Sequence, residues 1–420
     1  MGILEQVQEA VKACNIGEYI IKDTFCKAME LYYIGDKLDL TRGRNTEEIR
    51  VTVYRVFESD KKYRGQTDIY IYPGMSDEEI RKALDDAYSA AVHIKNPYFN
   101  LAGVISHTSD KGSGFGCRSV AEDAKAIAQA IYSVKDSGEK GSRINSCEIF
   151  TERYTVRLIS SSGTDVEYTH RVYRGEFVTQ FKDDNADVEF YNSFEYDKPD
   201  TEALANKVRE ALRTVSDRAK AIPAPSLTGI PVILCGDTVR EFLDFYVQRT
   251  NGAMVYPGYS TYKEWTSVQT GAAGDMLDID LIPRVPYSDE TVIMKERALL
   301  KNGIVKSLHG QVRFLDYLGL EQTGEYTKIR CNNEGKPMAE LTKGPYILIK
   351  KFSDFQMDSF DASFGGEIRL GYISDGEKET IFTGGSISGN IIKAQDTLEF
   401  SSERYIAADY EGPAAVKFMI

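Results

Sequence analysis

Apolar residues recur at helical spacing in four stretches of the chain. Ile3, Leu4, Val7, Ala10 and Val11 share one face over the first 16 residues, with Gly17 placed as the C′ residue of that helix. Ile80, Leu84, Ala87, Ala91 and Ile94 line a second helix. Ser76 and Glu79 open it as a capping box, and Asn96-Pro97 stops it. The same box at Ser119 and Glu122 opens a third, with Ala124, Ile127, Ile131 and Val134 inward. The fourth runs from about Thr201 to Lys220 on Leu204, Val208, Ala211, Leu212 and Val215.

Elsewhere the period is two. Residues 18–23 and 27–34 are rich in strand formers, and Ile49, Val51 and Val53 alternate with Arg50, Thr52 and Tyr54. Another strand ends at Pro73. From about residue 144 to 196, strand follows strand: 153–160 and 165–174 joined by a hairpin at Ser161-Ser162-Gly163, then 176–183 and 186–197. Three prolines and a glycine in residues 222–231 then break the fourth helix. Beyond them, residues 231–235 read as a buried strand and Asp237 to Arg249 as a helix, followed by short strands and glycine-rich turns. The expected fold class is α+β. Residues 1–221 form an α+β domain with an antiparallel sheet and helices, 222–231 a Pro-rich linker, and 232–420 a β-rich domain.

Composition narrows the setting. The 420 residues are 42% hydrophobic, with no apolar run long enough to span a membrane and no basic leader, so a cytoplasmic, membrane-free protein is expected. Gln6 stands where a myristoylation signal needs Ser or Thr. The six cysteines form no CxxC pair and are read as free thiols. A net charge of −13 and small basic clusters (Arg42, Arg44; Lys61, Lys62, Arg64) argue against direct nucleic-acid binding.

Candidate chemistry is sparse. His93, His107, His170 and His309 are too far apart for any helix to present two as metal ligands. The loop Gly112 to Gly116 precedes a capped helix but completes no phosphate-binding pattern, so a plain loop is favoured. Cys235 sits at a strand-to-helix junction with no His nearby in sequence, and a core role is favoured for it. The reactivity of Cys235 and Cys117 stays open. The adjacent carboxylates Asp85-Asp86 and Asp183-Asp184 read as solvated surface.

Several segments together resemble the TldD/PmbA family, whose members carry the label of modulators of DNA gyrase. These are Leu299-Leu-Lys-Asn-Gly-Ile-Val-Lys306, then Tyr317-Leu-Gly319, Thr323-Gly324, Gly385-Ser-Ile-Ser-Gly-Asn390 and the closing Glu411-Gly-Pro-Ala-Ala-Val. The resemblance implies a metalloprotease relationship, because some members carry HExxxH on the helix after a PVVL-like strand. Here that strand is Pro231-Val-Ile-Leu234, and the helix DTVREFLDFYVQR holds Glu241 but no His. The family's late Cys ligand also lacks a counterpart, since the last Cys is Cys331. The chain is thus similar to the TldE/PmbA-type members that lack the motif.

The resemblance implies a non-catalytic subunit of a peptide-degrading or peptide-processing assembly, inactive alone and with no cofactor, no catalytic residue and no metal ligand. Its expected partners are an extended peptide and either a second copy or a metal-bearing TldD-like subunit. The motif positions Asn302, Gly303, Gly385, Ser386, Ser388, Gly389 and Asn390 are the candidates for peptide or interface contact. The alternatives are a stand-alone hydrolase with an unrecognised site and a gyrase modulator acting through protein contacts.

Overall fold

A computed structural model describes residues 2–105 and 118–420. One antiparallel sheet carries the first half. Its strands are β1 (Glu18–Ile34), β2 (Lys37–Glu58), β3 (Lys62–Ile71), β4 (Ser142–Ser160), β5 (Asp165–Lys182) and β6 (Asp187–Tyr196), in the order β3-β2-β1-β4-β5-β6. Helices α1 (Ile3–Ala13), α2 (Asp77–Ala91), α3 (Val120–Tyr132) and α4 (Thr201–Lys220) cover one face. The first two pack on Ile21, Val51, Val53 and Ile71, the other two on Leu31, Cys147, Ile149 and Phe177. Register makes this a single face. Ile21 lies opposite Val51 and Ile159, and Leu31, an even number of residues further along β1, lies opposite Ile149.

Both capping boxes form, with the Ser76 and Ser119 hydroxyls accepting from the Glu79 and Glu122 amides. Three details differ from the pattern in the sequence. Asn15, at φ 53°, supplies the left-handed residue after α1, so that helix ends before Gly17 is reached. Ile94 is 45% exposed, because α2 ends at Ala91. Residues 18–23 and 27–34 are one strand, as are 165–174 and 176–182. In the second case Gly175 lies mid-strand, where a Cβ would come 2.2 Å from the Glu148 carbonyl oxygen.

The second half is β-rich. Its strands are β7 (Ile222–Pro223), β8 (Val232–Cys235), β9 (Ile279–Ile282), β10 (Arg297–Lys301), β11 (Ile304–Val305), β12 (Lys328–Cys331), β13 (Pro345–Met357), β14 (Ser363–Asp375), β15 (Glu379–Thr383), β16 (Ser386–Asn390), β17 (Glu399–Phe400), β18 (Arg404–Ile406), β19 (Tyr410–Pro413) and β20 (Ala415–Phe418). They form two sheets, β11-β10-β9-β12-β19-β18 and β17-β20-β8-β13-β14-β15-β7, with β16 paired to β14. Helix α5 (Asp237–Arg249) is enclosed by them. Its Val239, Phe242, Leu243, Phe245 and Tyr246 share one core with Leu281, Leu299 and Ile329 of the first sheet and Val232, Ile347 and Phe418 of the second. The proline-rich segment enters along a sheet edge, where Ile222 pairs with Phe382 and the Ala224 amide donates to the Thr383 carbonyl.

Ion pairs tie the halves together. Asp289 takes Lys22 at 2.7 Å and Arg50 at 2.8 Å, and Arg284 reaches Glu195 at 2.6 Å and Asp197 at 2.8 Å. No helix among the described residues is long and apolar enough to cross a membrane.

His309 is buried behind α5, with Nε2 donating to the Val247 carbonyl at 2.9 Å and Nδ1 without a partner among the described residues. Burial lowers its pKa to about 4. In the unfolded chain the ordinary value is about 6.5. Between those values the unfolded chain takes a proton that the folded one refuses, so this contribution is intact above pH 6.5 and lost as pH falls toward 4. His309→Gln is expected to lessen the destabilisation between pH 7.5 and 4.5 by about 2–3 kcal/mol. Glu290, which burial raises to about 7, acts with the opposite sign. It is common to both proteins, so it cancels in the comparison. Urea unfolding of both at the two pH values measures the difference, and parallel losses would overturn the assignment.

Candidate functional site

The N-terminus of α5 opens into a cleft between the two halves. One chamber, of about 470 Å³, is bounded by Tyr191 and Ser193 of β6, Lys207 of α4, Glu241 of α5 and residues 350–355 of β13. It continues past Arg174, Arg240 and Asp409 into another of about 610 Å³.

Two strand edges are open here. The Glu195 carbonyl accepts from the Ala408 amide at 2.8 Å, so Glu195 directs its backbone away from β5. By the two-residue repeat, Ser193 and Tyr191 direct their N–H and C=O the same way, and among the described residues nothing pairs with them. The second edge arises because β8 pairs with Ile347, Leu348 and Ile349 of β13 and then turns into α5. Among the described residues, nothing pairs with the following residues of β13 on that side.

The charges are mixed. The Tyr405 hydroxyl donates to the Asp237 carboxylate, and Lys207 Nζ donates to the Tyr405 oxygen at 2.9 Å. Lys350 pairs with Glu210 at 2.7 Å. Lys351 also lines the chamber but has no ion-pair or hydrogen-bond partner among the described residues. Burial, reinforced by the Lys207 ammonium, holds its pKa below the usual lysine range. Burial, then the Asp237 and Asp409 carboxylates, raises Glu241 to about 7. Helix α5 starts on Gly236, at φ 62°, without a side-chain cap.

Cys235 lines the same chamber, but burial pushes its thiol up to about 11, so it carries no thiolate near neutral pH. His107, Cys117 and the loop Gly112 to Gly116 lie outside the described residues. The small basic clusters are largely paired: Arg42 and Arg44 hold the buried Glu30 and Glu152, and Arg64 holds Glu18 at 2.7 Å.

The motif residues from the sequence stand elsewhere. Asn302 and Gly303, at φ 49° and 64°, make the turn between β10 and β11. Gly385, at φ 76°, leads into β16, where Ser386 and Ser388 are exposed. Gly389 packs on Phe364, and Asn390 accepts from the Ile392 amide and donates to the Asp361 carbonyl. None of the seven lines the cleft. Lys207, Asp237, Lys351 and Tyr405 carried no signal in the sequence, since each comes from a different element.

Residues 228–416 match the family described as PmbA/TldA metallopeptidase C-terminal domain. The second half of the chain thus matches the C-terminal domain of the PmbA/TldD metallopeptidases. Similar solved structures span the whole length of the chain. TldE from Thermococcus kodakarensis is 13% identical at TM-score 0.78, covering 99% of this chain and 98% of that one. A proposed modulator of a DNA gyrase from Thermotoga maritima is 15% identical at TM-score 0.75, covering 99% of both chains. Another from Bacteroides thetaiotaomicron is 12% identical at TM-score 0.76, covering 99% and 97%. No curated protein gives a match.

The metallopeptidase description of that domain implies a metal, and the residues here do not fit one at α5. That helix has no imidazole, and its inward positions are filled by Phe242, Phe245 and Tyr246. Among the described residues no three His, Cys, Asp or Glu side chains are grouped to hold a metal ion.

Proposed function

We propose that this chain is a TldE-like, non-catalytic subunit that holds an extended peptide in the cleft between its halves and assembles with a homologous subunit. The observation that carries this is the pair of open strand edges facing one chamber. An extended peptide adds to such edges through main-chain hydrogen bonds, which need no particular sequence. A metal-bearing relative would supply the hydrolytic chemistry that α5 here is not equipped to perform. Alternatively, a second copy of this chain would complete a homodimer. The exposed Ser386 and Ser388 on β16 are candidates for contact with that partner.

Fluorescence anisotropy with a labelled unfolded peptide tests the reading. The expected result is saturable binding, unaffected by a chelator and without cleavage. Chelator-insensitive cleavage by the purified chain alone would favour a stand-alone hydrolase instead. Sedimentation at several concentrations, alone and with a metal-bearing relative, tests assembly. A stable interface buries at least about 1,000 Å² and is expected to persist at micromolar concentration. A chain monomeric in every mixture would overturn the subunit role.

A further inference from the structure

We infer that the Lys351 ammonium receives a carboxylate of the bound peptide, which makes this cleft selective for peptides carrying a negative charge. The inference rests on the peptide-binding reading and assigns its polarity. Three lysines border the chamber, and two are already matched: Lys350 with Glu210, and Lys207 with Asp237 and Tyr405. Lys351 is in the same wall, and among the described residues its ammonium has no ion-pair or hydrogen-bond partner. Burial and the Lys207 ammonium outweigh the Asp237 and Glu210 carboxylates in lowering its basicity.

An enclosed ammonium is costly unless paired, so an incoming anion gains a charge-assisted bond and relieves that cost. The position fits a strand-like ligand. Lys351 lies on β13 two residues after Ile349, the last residue paired with β8, in the stretch where the edge is open. The uncapped N-terminus of α5 borders the same chamber, and its field favours negative charge. Four carboxylates border the chamber, Glu210, Asp237, Glu241 and Asp354, the last accepting from the Gln356 side-chain amide at 2.9 Å. Glu210 and Asp237 are engaged with lysines, and Glu241, raised to about 7, is substantially protonated near neutral pH.

The carboxylate has two sources in a peptide, the C-terminus and an acidic side chain. The test uses one unfolded sequence in three forms: acid-free with a free C-terminus, amidated with one internal Glu, and amidated without any acid. Anisotropy titrations compare the unaltered chain with Lys351→Met, which keeps the length of the side chain, and Lys351→Arg, which keeps the charge. The carboxylate form that reaches Lys351 is expected to bind about tenfold tighter than the acid-free amide. Lys351→Met removes that advantage and leaves the acid-free amide unchanged, while Lys351→Arg retains most of it.

Which carboxylate-bearing form gains affinity identifies the source. Equal binding of all three forms to the unaltered chain overturns the inference while leaving the peptide reading intact. So does an advantage that survives in Lys351→Met. Failure of every form to bind overturns both. Thermal unfolding checks the fold, and Lys351→Met is expected to melt no lower than the parent, because it removes an unpaired charge.

Discussion

Phe242→Ala is expected to destabilise the second half by about 3–5 kcal/mol, the range for deleting a fully enclosed aromatic side chain. Phe242 is the hub of the aromatic packing around α5. Its ring stacks on Phe418 with centroids 4.9 Å apart and meets Phe364 edge-on at 5.3 Å. Deleting it opens a void between α5 and strands from both ends of this half of the sequence, which cannot collapse without moving the sheet. The first half keeps its own cores around Ile49 and Ile149. Calorimetry is therefore expected to show a lowered transition separating from one left in place. Phe242→Leu, which refills most of the volume, is expected to recover at least half of the loss. An unchanged melting profile for Phe242→Ala would mean that α5 is not the enclosed pillar described above.

Ser193→Pro is expected to lower affinity for an extended peptide by about tenfold or more while leaving the fold intact. Ser193 directs its amide into the cleft, so proline there removes a donor offered to a ligand and none used in the ladder with β5. The ring also fills the space that a docking strand would occupy. Asn192→Pro is the contrasting substitution. Asn192 is buried, and its backbone faces β5, so proline there breaks the native ladder and is expected to destabilise the first half. Circular dichroism and thermal melting separate the two effects. Undiminished peptide affinity in Ser193→Pro would remove β6 from the binding surface.

The helices of the first half were readable because their ends are written in local chemistry. Ser76 with Glu79 and Ser119 with Glu122 cap wherever they meet an apolar stripe, and α4 and α5 begin and end where the sequence pattern placed them. Strand continuity was harder to see. Gly175 looks like a break, yet it is the residue that lets neighbouring backbone pass. The β13–β14 hairpin shifts register at residues 349–354, which scrambles the alternation by which a strand is recognised. The candidate site was hidden for a different reason. Its lysines, carboxylates and tyrosine come from α4, α5, β13 and β18, and only folding gathers them. The motif at Asn302 and Gly303 was conspicuous because a tight turn with φ above zero admits few residue types. That visibility reflects backbone geometry.

The placement of β8 bears on how the chain is made. Val232 to Cys235 run between β13 on one side and β20 on the other, with Val232 opposite Phe418 and Cys235 opposite Ala415. A growing chain therefore holds β8 and the greasy face of α5 without their cover until the last of these strands has left the ribosome. The first half needs nothing from that stretch for its own sheet and can close early. Synthesis thus passes through a stage in which a folded first sheet trails an aromatic helix whose cover is not yet made.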